Sequence, residues 1–419
     1  MLHCGVMHAS RVVPWMMAAF ALCSAQSVKN PAELMKDTAV KAALEAAQRN
    51  EPHWTDEQIR ICEIPAPPFH EDGRGRELER LFKQLRLRDV RIDKAGNVIG
   101  VRPGGAAHPS LLFQAHLDTV FPPETNVKVT GEGTVLKGPG IGDDCRGLVV
   151  MLGVIRALDE GKVKTAGTIT FAADTGEEGL GDLRGTKELF NESLKGQIDE
   201  FISVDGTGLS IANAGVGSYR YRTTFKGPGG HSFGAFGMAN PIQALGRAIA
   251  KIDNFDVPKN PKTTFNVGRV GGGTSVNAIP FEAWMEVDMR SSDKVALEAL
   301  NTKFKAAVQE AVDEENRRWS RGPVTVSNEL VGVRPAGITL PDSPIVRTAV
   351  AATRLFGGDG SLREGSTDAN VPMNLGIPAI TIGGGGVGSG AHSLNETFDT
   401  KNSWLGTQRA LLLAIALTQ

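Results

Sequence analysis

Between residues 86 and 214 the chain alternates short apolar runs with amphipathic stretches, and this alternation restricts the fold more than any other feature. "RIDKAGNVIGVRPG" and "SLLFQAHLDTVF" read as strands separated by turns. "CRGLVVMLGVIRALDEG" spaces its apolar residues as a helix and stops at Gly161. "GTITFAAD" and "EFISVDG" read as strands flanking a helix at "TKELFNESL". Such a succession predicts an α/β sheet covered by helices. Upstream, residues 31–85 read as helical, broken by the Pro-rich loop "EIPAPPFHEDGRG". Near residue 215 the pattern changes. "SYRYRTTFKGPGG" and "FEAWMEVDMR" alternate as strands with one exposed face, and helices fit "ANPIQALGRAIAKIDNF" and "SDKVALEALNTKFKAAVQEAVDEENRR". After "RPAG" the α/β pattern returns, with a helix at "SPIVRTAVAATRLFG" and a strand at "PAITIGG". At 419 residues two domains are expected. The predicted arrangement is an α/β domain made of residues 26–214 and 331–419, interrupted by a smaller α+β unit at 215–330.

The formal net charge of -2 argues against electrostatic binding to nucleic acid. The N-terminus, "RVVPWMMAAFALCSAQS", sets a short apolar stretch after Arg11 and ends in small residues. It reads as an export signal over residues 1–25, too short to span a bilayer, which predicts a periplasmic or secreted protein without stable membrane association. A mis-assigned start would leave the protein in the cytoplasm. Cleavage after Ala25 removes Cys4 and Cys23, leaving Cys62 and Cys145, too few for a disulfide scaffold.

Several short motifs carry side chains suited to metal chemistry. In "FQAHLDTVF", His116 and Asp118 share one face of a strand, where a carboxylate can fix a histidine's tautomer. Taken alone, such a pair is common on surfaces. "KGPGIGDDCRG" sets Asp143 and Asp144 between a Gly-rich turn and a helix, where Asp144 also fits an N-cap. "TGEEG" places Glu177 and Glu178 in a loop at a strand's end, "SVDG" ends a strand at Asp205, and "GSGAHSLNE" carries His392 in a loop. In an α/β sheet these ends converge on one crevice. Mixed imidazole and carboxylate donors suit zinc, manganese or cobalt and disfavour a calcium cage. A competing reading takes the Gly-rich run at 383–390 as an anion cradle, although it lacks the Lys-Ser/Thr ending of a P-loop.

In order and spacing, "HLDT", "GPGIGDD", "GEEG", "VDG", "GPGGHS", "GGTSVNAIP", "VDMR", "GSTDAN" and "GAHSLNE" resemble the M20 family of di-metal peptidases and amino-acylases, over nearly the whole mature chain. The resemblance implies a zinc-peptidase-like α/β/α catalytic domain and a ferredoxin-like dimerisation or lid unit. It implies two divalent metal ions, zinc first: one on His116, Asp143 and Asp205, the other on His392, Asp143 and Glu178. Asp143 would bridge them, preceding a cis peptide bond. Asp118 would orient His116, and Glu177 would be the general base. His231 would reach a partner subunit's site in a homodimer and stabilise the oxyanion there, and Asn277 and Arg290 would contact the substrate's carboxylate or carbonyl groups. The implied reaction is hydrolysis of short peptides, with N-acyl amino-acid deacylation or a glutamate-carboxypeptidase-type reaction as alternatives. "YRYRTTF", read as an apolar edge strand, is consistent with a dimer. Two departures stand out: Cys145, where many relatives carry lysine, and "REGSTDAN", with Glu364 and Ser366 where relatives are more Gly-rich. Cys145 beside a metal pair is open to oxidation or to acting as a stray ligand.

Overall fold

The computed structural model describes Met1 and residues 28–419. The stretch read as an export signal, with Cys4 and Cys23, lies outside the described residues apart from Met1. Among the described residues, nine strands form the main sheet. Its path runs Arg88–Ile92, Val98–Arg102, Thr168–Asp174, Ser110–His116, Glu200–Val204, Ala379–Ile382, Ile211–Gly215 and Gly337–Ile338, with Leu362–Gly365 pairing off this path. The four middle strands, from Thr168–Asp174 to Ala379–Ile382, are mutually parallel. Ser110–His116 is buried along its whole length, as a strand covered on both faces must be. Leu111 and Phe113 pack on one face with Trp54, Leu148 and Leu411. Leu112 packs on the other with Phe190, Phe201 and Val371. The parallel strands all end on one edge, at His116, Asp174, Val204 and Ile382. His116 ends one of these strands, and Glu177, Glu178 and Asp205 follow within four residues of two others.

Four antiparallel strands, in the order Thr263–Gly272, Glu282–Ser291, Gly217–Lys226 and Thr325–Arg334, build a second sheet. Helices Pro241–Asp253 and Lys294–Arg318 cover one of its faces, packing Leu245, Phe304 and Val308 on Phe225, Met285 and Met289. The other face is open and carries Arg220, Asp288 and Arg290. "YRYRTTF" is not an edge strand. It runs between Glu282–Ser291 and Thr325–Arg334, because both flanking segments return antiparallel to it. The edges of this sheet are Thr263–Gly272 and Thr325–Arg334.

Cys62, the last residue of helix Thr38–Cys62, is disulfide-bonded to Cys145, the first residue of helix Cys145–Glu160. The sulfurs sit among Leu136, Ile141 and Phe398. Cys145 is therefore not a free thiol beside the candidate metal ligands. Pairing could not be read from spacing, since 83 residues separate the two. By chain entropy a loop of that length stabilises the fold by about 4–5 kcal/mol. The Cys62→Ala/Cys145→Ala double variant is expected to lose a large part of that in urea unfolding; unchanged stability would mean the bond contributes nothing.

Candidate metal centre and active site

Asp143 stands between two histidines. His116 Nε2 lies 3.2 Å from its Oδ1, and His392 Nε2 lies 3.1 Å from its Oδ2 and 2.9 Å from Glu178 Oε1. Ligand-type atoms of His116, Asp143 and Asp205 fall within 4.8 Å of one another, and so do those of Asp143, Glu178 and His392. The two sets share Asp143. His116, Glu177 and Glu178 make a third such set. Two histidines and three carboxylates divided this way fit a pair of divalent ions with one bridging carboxylate.

The scaffold aims these groups from several directions. The Asp143–Asp144 peptide is cis. Asp144 accepts the Gly147 amide at 3.0 Å as the N-cap of its helix, and its other oxygen accepts the His116 amide at 3.1 Å. Glu396 accepts the amides of Gly140, Gly142 and Asp143 at 2.9, 2.7 and 3.0 Å, templating a glycine-rich loop that has little rigidity of its own. Burial nevertheless pushes Glu396 up to about 7. Strand Thr397–Asp399 pairs with Val135–Lys137, which leads into that loop, so the segments of His392 and Asp143 are held together. Asp118 is fully buried and serves two ends. Its carboxylate accepts the Glu177 and Glu178 amides at 3.0 and 2.8 Å. His116 Nδ1 lies 3.0 Å from the Asp118 carbonyl and 3.5 Å from the carboxylate, so donation to the carbonyl directs Nε2 at Asp143.

The charges are crowded. Burial, followed by the Asp143 charge, pushes Asp205 up to about 7. Burial also pushes Glu177 well above the usual carboxylate range, against Arg334 and with Glu178. Burial opposes ionisation of Asp143, but hydrogen bonds from His116 and His392 outweigh it and hold the carboxyl low. Hydrogen bonds to Asp143 and Glu178 raise His392 to about 10. Burial and neighbouring carboxylates thus both disfavour ionisation of Asp205 and Glu177, a cost that a bound cation would offset.

Arg334 was not singled out by its sequence, because the arginine of "VGVRPAG" sits in no metal or catalytic pattern. It is buried, with Nη1 2.9 Å from Glu177 Oε1 and 3.1 Å from the Ser366 carbonyl, and Nη2 on the Glu177 carbonyl. Glu396 likewise lay unassigned within "GAHSLNE". The cleft over these groups has a volume of about 460 Å³, and its lining includes Asp143, Glu177, Glu178, Asp205, Arg290 and Arg334. Arg290 also makes the surface-type ion pair that competes with a binding role, its Nε 2.7 Å from Asp288 Oδ2. Ser366 lines the cleft, whereas Glu364 accepts the Ser292 hydroxyl at 3.1 Å. His231 and Asn277 are exposed and do not line this cleft. They meet in a two-stranded antiparallel ladder formed by segments distant in sequence, where His231 pairs with Ala278 and the Ser232 amide donates to the Asn277 carbonyl. The amides of Gly383, Gly384, Gly385 and Gly388 are spent on the segment 206–210, which counts against an anion cradle there.

A sheet of this topology, with histidines and carboxylates gathered at its parallel strand ends beneath a smaller α+β unit, defines a class of α/β metallohydrolases. The chain belongs to peptidase family M20/M25/M40, which matches residues 112–416. It is 28% identical over 321 residues to carboxypeptidase G2 of Pseudomonas sp. (strain RS-16), covering 73% of this chain and 74% of that protein. It is 27% identical over 350 residues to the uncharacterized protein YqjE of Bacillus subtilis (strain 168), covering 80% and 90%. The crystal structure of aminopeptidase PepT from Bacillus cereus ATCC 10987 superposes with a TM-score of 0.72 at 23% identity, over 88% of this chain and 99% of that one. The chain is accordingly a hydrolase of the M20 type. No helix among the described residues is long and apolar enough to cross a membrane.

Proposed function

We propose that the protein hydrolyses the amide bond of short peptides carrying a free carboxylate. His116, Asp143 and Asp205 would hold one divalent ion and His392, Asp143 and Glu178 a second, with zinc preferred over manganese or cobalt. When bound, such ions acidify a water molecule and polarise the scissile carbonyl. The observation that carries the reading is the division of Asp143, each oxygen facing a different histidine, with Glu177 beside it on Arg334. Glu177 takes the proton of the attacking water on its carboxylate and returns it to the leaving nitrogen. Asp118 fixes the loop that carries it. Arg290 grips the substrate carboxylate with its guanidinium fork. A cavity of about 750 Å³ runs on from Gly179, Arg220 and Arg290 along the open sheet face, giving room for more than one residue.

The first test incubates the zinc-loaded protein with an unblocked tripeptide and its N-acetylated twin, with a chelator control and mass spectrometry. Release of the N-terminal residue from the free peptide alone identifies an aminopeptidase, and loss of the C-terminal residue from both a carboxypeptidase. Acetate release identifies the deacylase alternative. No change in either peptide, with both metals bound, would refute the peptidase reading.

His231 completes the site from a partner subunit in this account, with Asn277 as a substrate contact, and the ladder that holds them is flanked by exposed Phe233 and Phe236, an apolar patch suited to a second copy. His231→Ala is expected to lower kcat by about 10²–10³, the usual worth of an oxyanion donor, with metal content unchanged. Loss of metal in that variant would misplace the residue. The Cys62–Cys145 bond supports export, since such bonds persist in oxidising compartments.

A further inference from the structure

The loop that carries Glu177 and Glu178 does not hold itself in shape. Gly176, Gly179, Asp182 and Leu183 all have φ between 53° and 71°, and for the last two this left-handed backbone persists only where surroundings impose it. The smaller unit supplies much of that constraint. Asp182 accepts the Val333 amide at 2.9 Å, and Arg334 holds Glu177. Arg220, on strand Gly217–Lys226, donates from Nη1 to the Gly179 carbonyl at 3.0 Å.

The Arg220 contact continues onto the open sheet face. Asp288 is its cross-strand neighbour and accepts Arg220 Nε at 3.2 Å on Oδ1. The other oxygen of Asp288 accepts Arg290 Nε at 2.7 Å. One carboxylate thus serves two guanidiniums, and the Nη groups of Arg290 make no hydrogen bond among the described residues. Both arginines line the cleft.

We propose that Arg220, acting through Asp288, is a positioning residue that couples arrival of the substrate carboxylate at Arg290 to placement of the loop bearing Glu177 and Glu178. This rests on the reading of Arg290 as the carboxylate grip. An anion on the free fork of Arg290 takes over part of its charge. Asp288 then serves Arg220 more fully, and the Arg220 bond to the Gly179 carbonyl is held in a narrower geometry. The carboxylate therefore acts on turnover as well as on affinity. A plain surface ion pair would do neither.

The test compares metal-loaded wild type with Arg220→Gln, Arg220→Lys and Asp288→Asn on a peptide acid and its C-terminal amide. In wild type the acid is expected to exceed the amide in kcat by roughly tenfold, the scale of one charge-assisted hydrogen bond. In Arg220→Gln and Asp288→Asn that kcat ratio falls towards one. The acid keeps its lower KM in Arg220→Gln, where Arg290 and Asp288 are intact, and metal content is unchanged in both variants. Arg220→Lys restores part of the ratio. Amide hydrogen exchange at residues 179–183, which needs no substrate, is expected to quicken in Arg220→Gln. A retained kcat ratio, or unaltered exchange, overturns the coupling while leaving the peptidase reading in place. If wild type turns over neither peptide with both metals bound, the peptidase reading falls and the coupling falls with it.

Discussion

Replacing Glu177 with glutamine is expected to remove nearly all turnover and leave the bound metals in place. The side chain is buried and paired with Arg334, and it sits beside the Asp143-centred sets. Glutamine keeps its volume and an oxygen for the guanidinium, so the loop has little reason to move. What it lacks is the capacity to accept a proton. General-base assistance contributes about 10²–10⁴-fold, and a loss on that scale in kcat is the expected result. Glu178→Ala behaves differently in this account. Glu178 Oε1 is 2.9 Å from His392 Nε2, within a candidate ligand set, so metal content falls together with activity. Measured side by side by metal analysis and steady-state kinetics, the two neighbours separate. A fully active Glu177→Gln enzyme would give the base to another residue.

Asp143→Ala is expected to empty both metal positions at once. Its two oxygens face His116 and His392 separately, and both three-residue sets contain it. The scaffold spends much on this one carboxylate: three amides on Glu396, an N-cap at Asp144, and a disulfide at the next residue. Removing it should weaken binding of each ion by more than the ten- to hundredfold typical of an outer-shell partner. The Asp205→Ala variant, by comparison, touches only the His116 set and should spare one ion. Equilibrium titration of chelated protein with zinc reads both cases. Retention of two ions by Asp143→Ala would contradict the bridging assignment.

Much of this candidate site is legible in the sequence. The strand-end positions of His116, Glu177, Glu178 and Asp205 follow from apolar runs that stop at polar residues, and a parallel sheet must bring such ends to one edge. The order of short motifs carried the family resemblance. Long-range partners were less visible. Nothing local marks Arg334 as the residue that holds Glu177, since they are 157 positions apart. Glu396 was hidden for the opposite reason: its neighbour His392 drew the chemical reading, while its own task is to receive backbone amides. The Cys62–Cys145 pairing depended on two helix ends meeting. "YRYRTTF" was misplaced at an edge because alternation fixes which face a residue takes but not how many neighbours a strand has.

The central claim is that two cations on these residues activate hydrolysis. It is tested most directly by adding zinc stepwise to chelator-stripped protein while following hydrolysis of a peptide substrate. The account predicts negligible activity without metal and a plateau once two equivalents per chain are bound. Full turnover in the stripped protein, or activity indifferent to added metal, would contradict it.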